Sequence, residues 1–125
     1  MSSAGTVLLA LLMAASAYGL AWADEDAGDG KALFSSRCSA RHVVTAQNKT
    51  GPGLAGIIGR KAGTTPDFHY SRAIIAYRKV WDDQTLDAFL AAPSKAIPGT
   101  KMVVSVPGAP DRADLIAYLK TLGAS

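Results

Sequence analysis

The sequence predicts an all-α domain, and two observations carry this prediction. Three segments repeat apolar side chains at the three- and four-residue spacing of a helix, and a weaker helical turn spans residues 72–77. Between the first two, residues 42–70 show almost no periodicity and are rich in glycine and proline, yet they hold many apolar side chains. Such a loop is uncommonly long and too hydrophobic for disorder. We therefore expect it to wrap a core that is not made of peptide.

The first helix is predicted from Asp26 to Arg37. Leu33, Phe34 and Arg37 stand at helical spacing, and Gly30 lies four residues before Phe34. Glycine inside a helix costs about 1 kcal/mol relative to alanine. Gly30 therefore indicates a close crossing with another helix.

The second helix is predicted to begin at Asp82 or Asp83 and to run to about Ala91, with Pro93 just beyond its end. Its apolar face comprises Leu86, Phe89 and Leu90.

The third helix has the clearest pattern. Asp111 is the predicted N-cap, Asp114 follows near the positive end of the helix dipole, and Gly123 closes the helix. Its apolar stripe comprises Leu115, Ile116, Tyr118, Leu119 and Leu122.

The first 23 residues predict a cleaved export signal. They carry no charged side chain, include an apolar run from Val7 to Ala17, and end in Ala21-Trp22-Ala23, a pattern that signal peptidase cleaves. An uncleaved membrane anchor is the alternative, but the apolar run is short for a span of about 20 residues. We expect residues 1–23 to be a signal peptide, residues 24–125 to be the mature domain, and the periplasm to be its location.

Charge and cysteine content narrow the function classes. The chain has 13 Lys and Arg residues, 10 Asp and Glu residues and a formal net charge of +3, all of it in the mature part. This mild, evenly mixed balance suits an acidic protein partner and argues against nucleic acid. Cys38 is the only cysteine and cannot form an internal disulfide, so a cofactor is one way to stabilise so small a domain. No catalytic triad, carboxylate pair or phosphate-binding loop indicates an enzyme.

Residues 38–42, Cys-Ser-Ala-Arg-His, differ at one position from the Cys-x-x-Cys-His motif of covalent haem attachment. In that motif two thiols bond the porphyrin and the histidine ligates iron. Arg41 stands where the second thiol belongs, and Cys-x-x-x-His alone is a weak signal. A zinc site of Cys38, His42 and His69 is an alternative, but the spacing fits no standard set and a fourth ligand is missing.

From about residue 28 to residue 122 the chain resembles the class I cytochromes c of the mitochondrial and bacterial cytochrome c2 type. The matching segments follow the family's order: Gly30-Lys31 through Phe34, Cys38 to His42, Lys49-Thr50-Gly51-Pro52-Gly53-Leu54, Gly59-Arg60-Lys61, Phe68-His69-Tyr70, Trp81, Ile97 to Met102, and Asp114 to Lys120. The resemblance implies helices and loops wrapped around one haem, with the N- and C-terminal helices crossing. The residues implied to make that crossing are Gly30, Phe34, Leu115 and Tyr118.

The resemblance also implies a set of haem-binding residues. His42 would be the proximal and Met102 the distal iron ligand, and the Pro52 carbonyl would accept a hydrogen bond from the other nitrogen of His42. Without the resemblance, Met102 reads as an ordinary core methionine. The remaining residues would hold or screen the propionates or line the pocket: Arg60, Tyr70, Trp81 and Thr100.

The implied function is that of an exported, monomeric, monohaem electron carrier, not an enzyme. It would shuttle single electrons between respiratory or photosynthetic partners, namely a cytochrome bc1-type donor and an oxidase or reaction-centre-type acceptor with acidic surfaces, without nucleic acid or a membrane span after signal cleavage. Four cations would ring the exposed haem edge and steer these encounters, unless they are simply a solvated face: Arg37, Lys49, Lys95 and Lys101.

Several positions depart from the family pattern. Arg41 leaves at most one thioether, through Cys38, and Ile74 and Phe89 stand where Asn and Tyr are common, while Val104 replaces a Phe. Three alternatives therefore stay open. One is a haem-binding module with non-covalent or poorly loaded haem. Another is an inactive apo variant, or a sequence error, at Arg41. The third is a haem-free helical domain in which residues 42–70 would be mobile.

Overall fold

The computed structural model describes residues 25–123, in which the regular elements are five helices. They are α1 (Ala27–Arg37), α2 (Arg72–Tyr77), α3 (Asp83–Ala91), α4 (Pro93–Ala96) and α5 (Ala109–Lys120). Within this part of the chain there is no β-strand, so the all-α prediction is confirmed. None of these helices is long and apolar enough to cross a membrane. The predicted signal segment, residues 1–23, lies outside the described residues.

The crossing of α1 and α5 organises the fold. Gly30 is buried there, and a Cβ at this position would meet the backbone carbonyl of Asp114 and lie 2.9 Å from Cβ of Tyr118. One turn later, the rings of Phe34 and Tyr118 lie 5.7 Å apart, centroid to centroid. The backbone N–H of Asp26 donates to the Asp114 carboxylate at 2.8 Å, which fixes the start of α1. The predicted close crossing at Gly30 is confirmed.

Helix α3 follows its predicted pattern. Asp82 is the N-cap and forms a capping box, because its side chain accepts from the backbone N–H of Thr85 while the Thr85 hydroxyl accepts from the Asp82 backbone. Its buried face comprises Leu86, Phe89 and Leu90, as predicted.

The predicted start of the last helix is wrong. Helix α5 begins at Ala109 with Gly108 as N-cap, and Asp111 lies inside the first turn. Proline has no N–H and its φ suits a first turn, so Pro110 extends the helix beyond the predicted cap. At the other end the helix stops at Lys120, three residues before Gly123.

Pro93 also lies in the first turn of a helix. The sequence placed it just beyond a helix end, but it starts α4, a single turn that the apolar pattern does not reveal.

The loop of residues 42–70 is held by backbone hydrogen bonds to distant segments. The N–H groups of Gly56 and Gly59 donate to the carbonyls of Leu122 and Trp81, both at 2.8 Å. Ile57 from this loop is buried in the core with residues of α1, α3 and α5. The loop therefore forms one side of the core, opposite the helices.

Candidate functional site

A cavity of about 420 Å³ lies between this loop, helices α1, α3 and α5, and residues 100–104. Much of its lining consists of large apolar side chains: Phe34, Leu54, Leu86, Phe89, Leu90, Leu115 and Leu119. Of the eight site residues predicted from the sequence, Arg60 does not line the cavity. The other seven do: Cys38, His42, Pro52, Tyr70, Trp81, Thr100 and Met102. The fold thus gathers residues that are up to 64 positions apart around one apolar space.

The His42 ring is fixed at one wall of the cavity. Its Nδ1 lies 2.9 Å from the carbonyl oxygen of Pro52. A carbonyl can only accept, so Nδ1 carries the proton and Nε2 keeps its lone pair. Burial lowers the pKa of His42, the Pro52 hydrogen bond acts in the opposite direction, and the charge of Arg41 lowers it further. His42 therefore presents a neutral imidazole with a free ring nitrogen.

Gly51 packs directly against the same ring, a contact that the sequence did not reveal. A Cβ at Gly51 would collide with Cε1 of His42 and lie 2.7 Å from Nδ1 and 2.9 Å from Nε2. Only a residue without a side chain fits here. The one sequence feature that could have indicated this contact is the position of Gly51 directly before Pro52, whose carbonyl accepts the hydrogen bond from His42.

Two hydrogen bonds that involve side chains hold the segment around Met102. The half-buried Met102 donates its backbone N–H to the Thr100 hydroxyl at 3.3 Å. Arg37, at the end of α1, donates through Nη2 to the Ser105 carbonyl at 2.7 Å. The next residue, Val106, returns to a backbone hydrogen bond with Leu90 on α3. Arg37 thereby ties the Cys38 end of α1 to the segment that carries Met102.

Cys38 and Arg41 lie at the rim of the cavity. Cys38 is a half-buried free thiol, and burial raises its pKa while the charge of Arg37 acts against that shift. Arg41 is exposed, so its guanidinium reaches water. A smaller pocket beside the cavity is also lined by Cys38, Arg41, His42 and Met102. The thiol, the imidazole and the thioether thus share one edge of the site.

The zinc alternative finds no support in the structure. Within residues 25–123, no three His, Cys, Asp or Glu side chains come together as a group that could hold a metal ion. His69 is exposed at the cavity mouth.

Arg60 lies behind the cavity wall instead of in it. Its guanidinium donates to the Thr65 hydroxyl at 3.1 Å and to the Ala55 carbonyl at 2.9 Å. The backbone N–H of the buried Thr65 in turn donates to the Tyr70 hydroxyl at 3.1 Å. Trp81 is buried in the core and lines the cavity. Arg60 therefore supports Tyr70 through Thr65, a link that the sequence did not indicate.

The four cations predicted to ring the haem edge lie at different places relative to the cavity. Lys101 is exposed and lines the cavity mouth, whereas Lys95 is exposed on α4 and contributes nothing to the lining. Lys49 donates to the Ser39 carbonyl at 3.2 Å, and Arg37 is bonded to the Ser105 carbonyl. Of the four, Lys101 alone combines exposure with a place on the cavity lining.

No family model matches the chain, but individual proteins do. The chain is 45% identical over 98 residues to "Cytochrome c" of Tetrahymena pyriformis, covering 78% of this chain and 89% of that protein. It is 46% identical over 99 residues to "Cytochrome c" of Euglena viridis, covering 78% and 97%. It is 44% identical over 101 residues to "Cytochrome c2" of Rhodopila globiformis, covering 78% and 93%.

Proposed function

The chain belongs to the class I cytochrome c family, and from this premise we propose that it is an exported electron carrier that holds one haem between His42 and Met102. Members of this family carry one haem c per chain. The observation that carries the proposal is the apolar cavity whose lining includes both an imidazole and a thioether.

The residues of the cavity fit a haem. Its volume of about 420 Å³ lies within the roughly 300–1,000 Å³ that small-molecule and cofactor sites occupy. Its walls are mainly apolar, as a flat hydrophobic macrocycle requires, and Tyr70 and Thr100 supply polar groups among them. A histidine nitrogen paired with a methionine sulfur is the donor set of electron-transferring cytochromes. The one poor match is Arg41, at the rim.

His42 would be the proximal ligand. The hydrogen bond from Nδ1 to the Pro52 carbonyl fixes the tautomer and leaves Nε2 as the donor atom. Because burial lowers the pKa of His42, the ring is neutral at neutral pH and needs no deprotonation before it can bind. The same hydrogen bond makes the ring more basic and resists its rotation.

Met102 would be the distal ligand. A bound haem iron supplies one-electron transfer, and a thioether opposite an imidazole favours its reduced state. With both His42 and Met102 bound to the iron, the protein would leave no open position for oxygen or a substrate. The apolar residues of the lining would reduce the access of water to the bound group. These are the properties of a carrier, whereas an enzyme of this kind would keep one position free.

Attachment would depend on Cys38 alone. Its thiol is half-buried at the same edge as His42, whereas Arg41 can form no thioether and is exposed to water. We therefore propose at most one covalent bond to the haem. Tyr70 and Trp81 would screen the propionates, with Arg60 holding Tyr70 in place through Thr65.

The proposal extends to location and partners. Residues 1–23 would direct export and be removed, leaving a monomeric domain of residues 24–125 in the periplasm. A cytochrome bc1-type donor and an oxidase or reaction-centre-type acceptor would dock at the cavity mouth. Exposed cations at that mouth, Arg41 and Lys101, favour acidic surfaces on both partners.

The deciding experiment is the visible spectrum of the full chain, produced together with the c-type maturation machinery and read in alkaline pyridine after reduction. We expect a haemochrome band between that of free haem and that of a two-thioether cytochrome, and haem that stays with the denatured polypeptide. Haem that is extracted by acidified solvent would instead establish non-covalent binding. No haem band at all would overturn the proposal.

Arg41→Cys is the matched variant for attachment. It should move the haemochrome band to the two-thioether position and raise the yield of covalent haem. An unchanged low yield in this variant would show that attachment is not what limits loading.

Met102→Leu tests the carrier function separately. It keeps the volume of the side chain but removes the sulfur, so the fold and the haem content should be retained while the reduction potential falls. An unchanged potential would exclude Met102 as the distal ligand.

A further inference from the structure

Positive charge is concentrated in one stretch of the chain, and most of its cations lie outside the proposed haem site. Residues 60–80 hold five of the 13 Lys and Arg residues but one of the 10 Asp and Glu residues. The formal charge of this stretch is therefore +4, which exceeds the +3 of the whole chain. The even mixing of charge suggested by the composition does not hold along the chain.

Most of this charge belongs to exposed residues that, together with two exposed apolar side chains, form what we call the α2 patch. The patch consists of the exposed residues Lys61, Arg72, Ile75, Arg78, Lys79 and Val80. Ile75 is 55% exposed and Val80 44% exposed, and the third exposed large hydrophobic residue among the described residues, Val103 at 73%, belongs to the cavity lining. The patch therefore combines two exposed apolar side chains, Ile75 and Val80, which we call its apolar centre, with four cations.

Backbone contacts hold the parts of the patch together. Val80 forms an antiparallel bridge with Lys61, and the N–H of Ala62 donates to the Lys79 carbonyl at 2.9 Å. Gly63 packs against Ile75, since a Cβ at this glycine would lie 3.3 Å from the Ile75 Cα. The end of α2 and residues 61–63 thus form one continuous surface.

No cation of the patch forms an ion pair within residues 25–123. The two ion pairs found within residues 25–123 join Arg112 to Asp87 and Lys120 to Asp83, so neither involves the patch. The nearest acidic residue after the patch is Asp82, whose carboxylate accepts hydrogen bonds at the start of α3. Lys79 lies over the Tyr77 ring, 5.5 Å from its centroid, which leaves its charge in place.

The α2 patch is separate from the cavity. Ile74 lines the cavity, whereas its neighbour Ile75 is exposed and lines neither the cavity nor the smaller pocket. No other residue of the patch contributes to either lining. Helix α2 is therefore a wall with the cavity on one side and the patch on the other.

We propose that the α2 patch is a second docking surface, for an acidic protein that presents carboxylates around a small apolar centre. A partner seated there would leave the cavity mouth free for electron transfer. The patch is small, so the complex would be weak and transient.

The chemistry of the patch favours an acidic protein over an anionic membrane. The planar guanidinium groups of Arg72 and Arg78 match carboxylates in two-point contacts. The exposed apolar side chains are the short, β-branched Ile75 and Val80, whereas interfacial membrane binding relies on Trp, Phe and Leu along a longer amphipathic helix. Helix α2 has six residues, too few to lie in a membrane interface.

The test uses the full chain labelled with ¹⁵N and an acidic peptide of alternating glutamate and leucine as the probe. We expect amide shifts confined to residues 61–63 and 72–80. Lys79→Glu should weaken binding about three- to tenfold, because it replaces an attraction with a repulsion. Lys31→Glu on α1 is the matched control, with the same change of charge at an exposed site outside the patch, and should change the affinity less than twofold. Arg72→Glu provides a second variant if Lys79→Glu disturbs the fold.

Ile75→Ser tests the apolar centre without changing charge. It should weaken binding of the glutamate–leucine peptide but not that of a glutamate–serine peptide. Equal binding of the two peptides, or equal effects of Lys79→Glu and Lys31→Glu, would reduce the interaction to unspecific attraction and overturn the proposal. Binding to phosphatidylglycerol vesicles through these same residues, without binding of the peptide, would overturn it in favour of a lipid surface. None of these readouts reports on iron ligation or electron transfer, so the outcome is separate from that of the proposed electron carrier.

Discussion

Replacing Gly51 with alanine should displace the imidazole of His42 although His42 itself is unchanged. A Cβ at this position would lie 2.7 Å from Nδ1, whereas ordinary contacts begin at 3.4 Å. The ring must therefore move by at least 0.7 Å, the difference between these two distances, unless the backbone of the loop gives way.

Such a shift is large compared with the hydrogen bond that orients the ring. The distance from Nδ1 to the Pro52 carbonyl is 2.9 Å, so a shift of this size can stretch it beyond the limit of about 3.5 Å for a hydrogen bond. Losing that bond costs about 0.5–1.5 kcal/mol, and overpacking adds about 1–3 kcal/mol. Loss of the partner that orients a metal-binding histidine typically weakens metal affinity about 10–100-fold.

The assay compares the haem content and thermal unfolding of Gly51→Ala with those of Gly123→Ala. No atom lies within 4 Å of a Cβ built at Gly123, so this control changes the same chemical group without a clash. We expect Gly51→Ala to lose most of its haem and to unfold at a temperature lower by roughly 10 °C, while Gly123→Ala matches the unsubstituted protein. Unchanged haem content and an unchanged unfolding temperature in Gly51→Ala would refute the reasoning, because the ring would then not be confined by this glycine.

Three further predictions concern the frame of the site. Gly30→Ala should lower the unfolding temperature, measured by circular dichroism, by roughly 5–15 °C. Alanine favours helices, but its Cβ would meet the Asp114 carbonyl. A rise in the unfolding temperature would contradict the close crossing. Hydrogen bonds from the start of α3 hold the pKa of Asp82 below its ordinary value of 3.8, so its carboxylate stabilises the fold above that pH and loses this effect as the pH falls below it. Asp82→Asn should therefore unfold at a lower temperature than the unsubstituted protein at neutral pH, and in a pH series of melts the two should converge as the pH falls below 3.8. Arg37→Ala should remove the hydrogen bond to the Ser105 carbonyl and so loosen the segment that carries Met102. As the pH is raised, the spectroscopic band of methionine ligation should therefore be lost at a lower pH than in Arg37→Lys. Identical pH midpoints in the two variants would exclude Arg37 as a residue that positions this segment.

Local patterns predicted the helices, whereas long-range contacts decided what the sequence did not reveal. Helix α3 was predictable because its cap, Asp82, and its apolar face lie within one short segment. Helix α5 was misplaced at its start because Asp111 is a good capping residue in isolation, while Pro110 allows the helix to begin at Ala109. Helix α4 is a single turn and has too few residues for a period to show.

The same distinction separates the predictable part of the site from the rest. Motif order sufficed to choose residues that the fold then gathers around one cavity. It could not foresee that Arg37 is bonded to Ser105, 68 residues away, or that Arg60 acts on Tyr70 through Thr65. The sequence does not indicate whether a Lys or Arg side chain is exposed to solvent, contacts a partner or donates to a backbone carbonyl. The folded structure is needed to distinguish these three cases.

The position of Arg41 explains how this chain can keep the fold of its family while departing from its attachment motif. A buried arginine would need its charge compensated at considerable cost, but Arg41 is exposed at the rim and its guanidinium remains in water. The contacts that fix the imidazole come from Gly51 and Pro52, and those around the thioether come from Thr100 and the segment that Arg37 holds. None of them involves the side chain of residue 41. In the proposed haem site, covalent attachment and iron ligation would therefore rest on different residues, and the absence of one thioether would leave the contacts around His42 and Met102 unchanged.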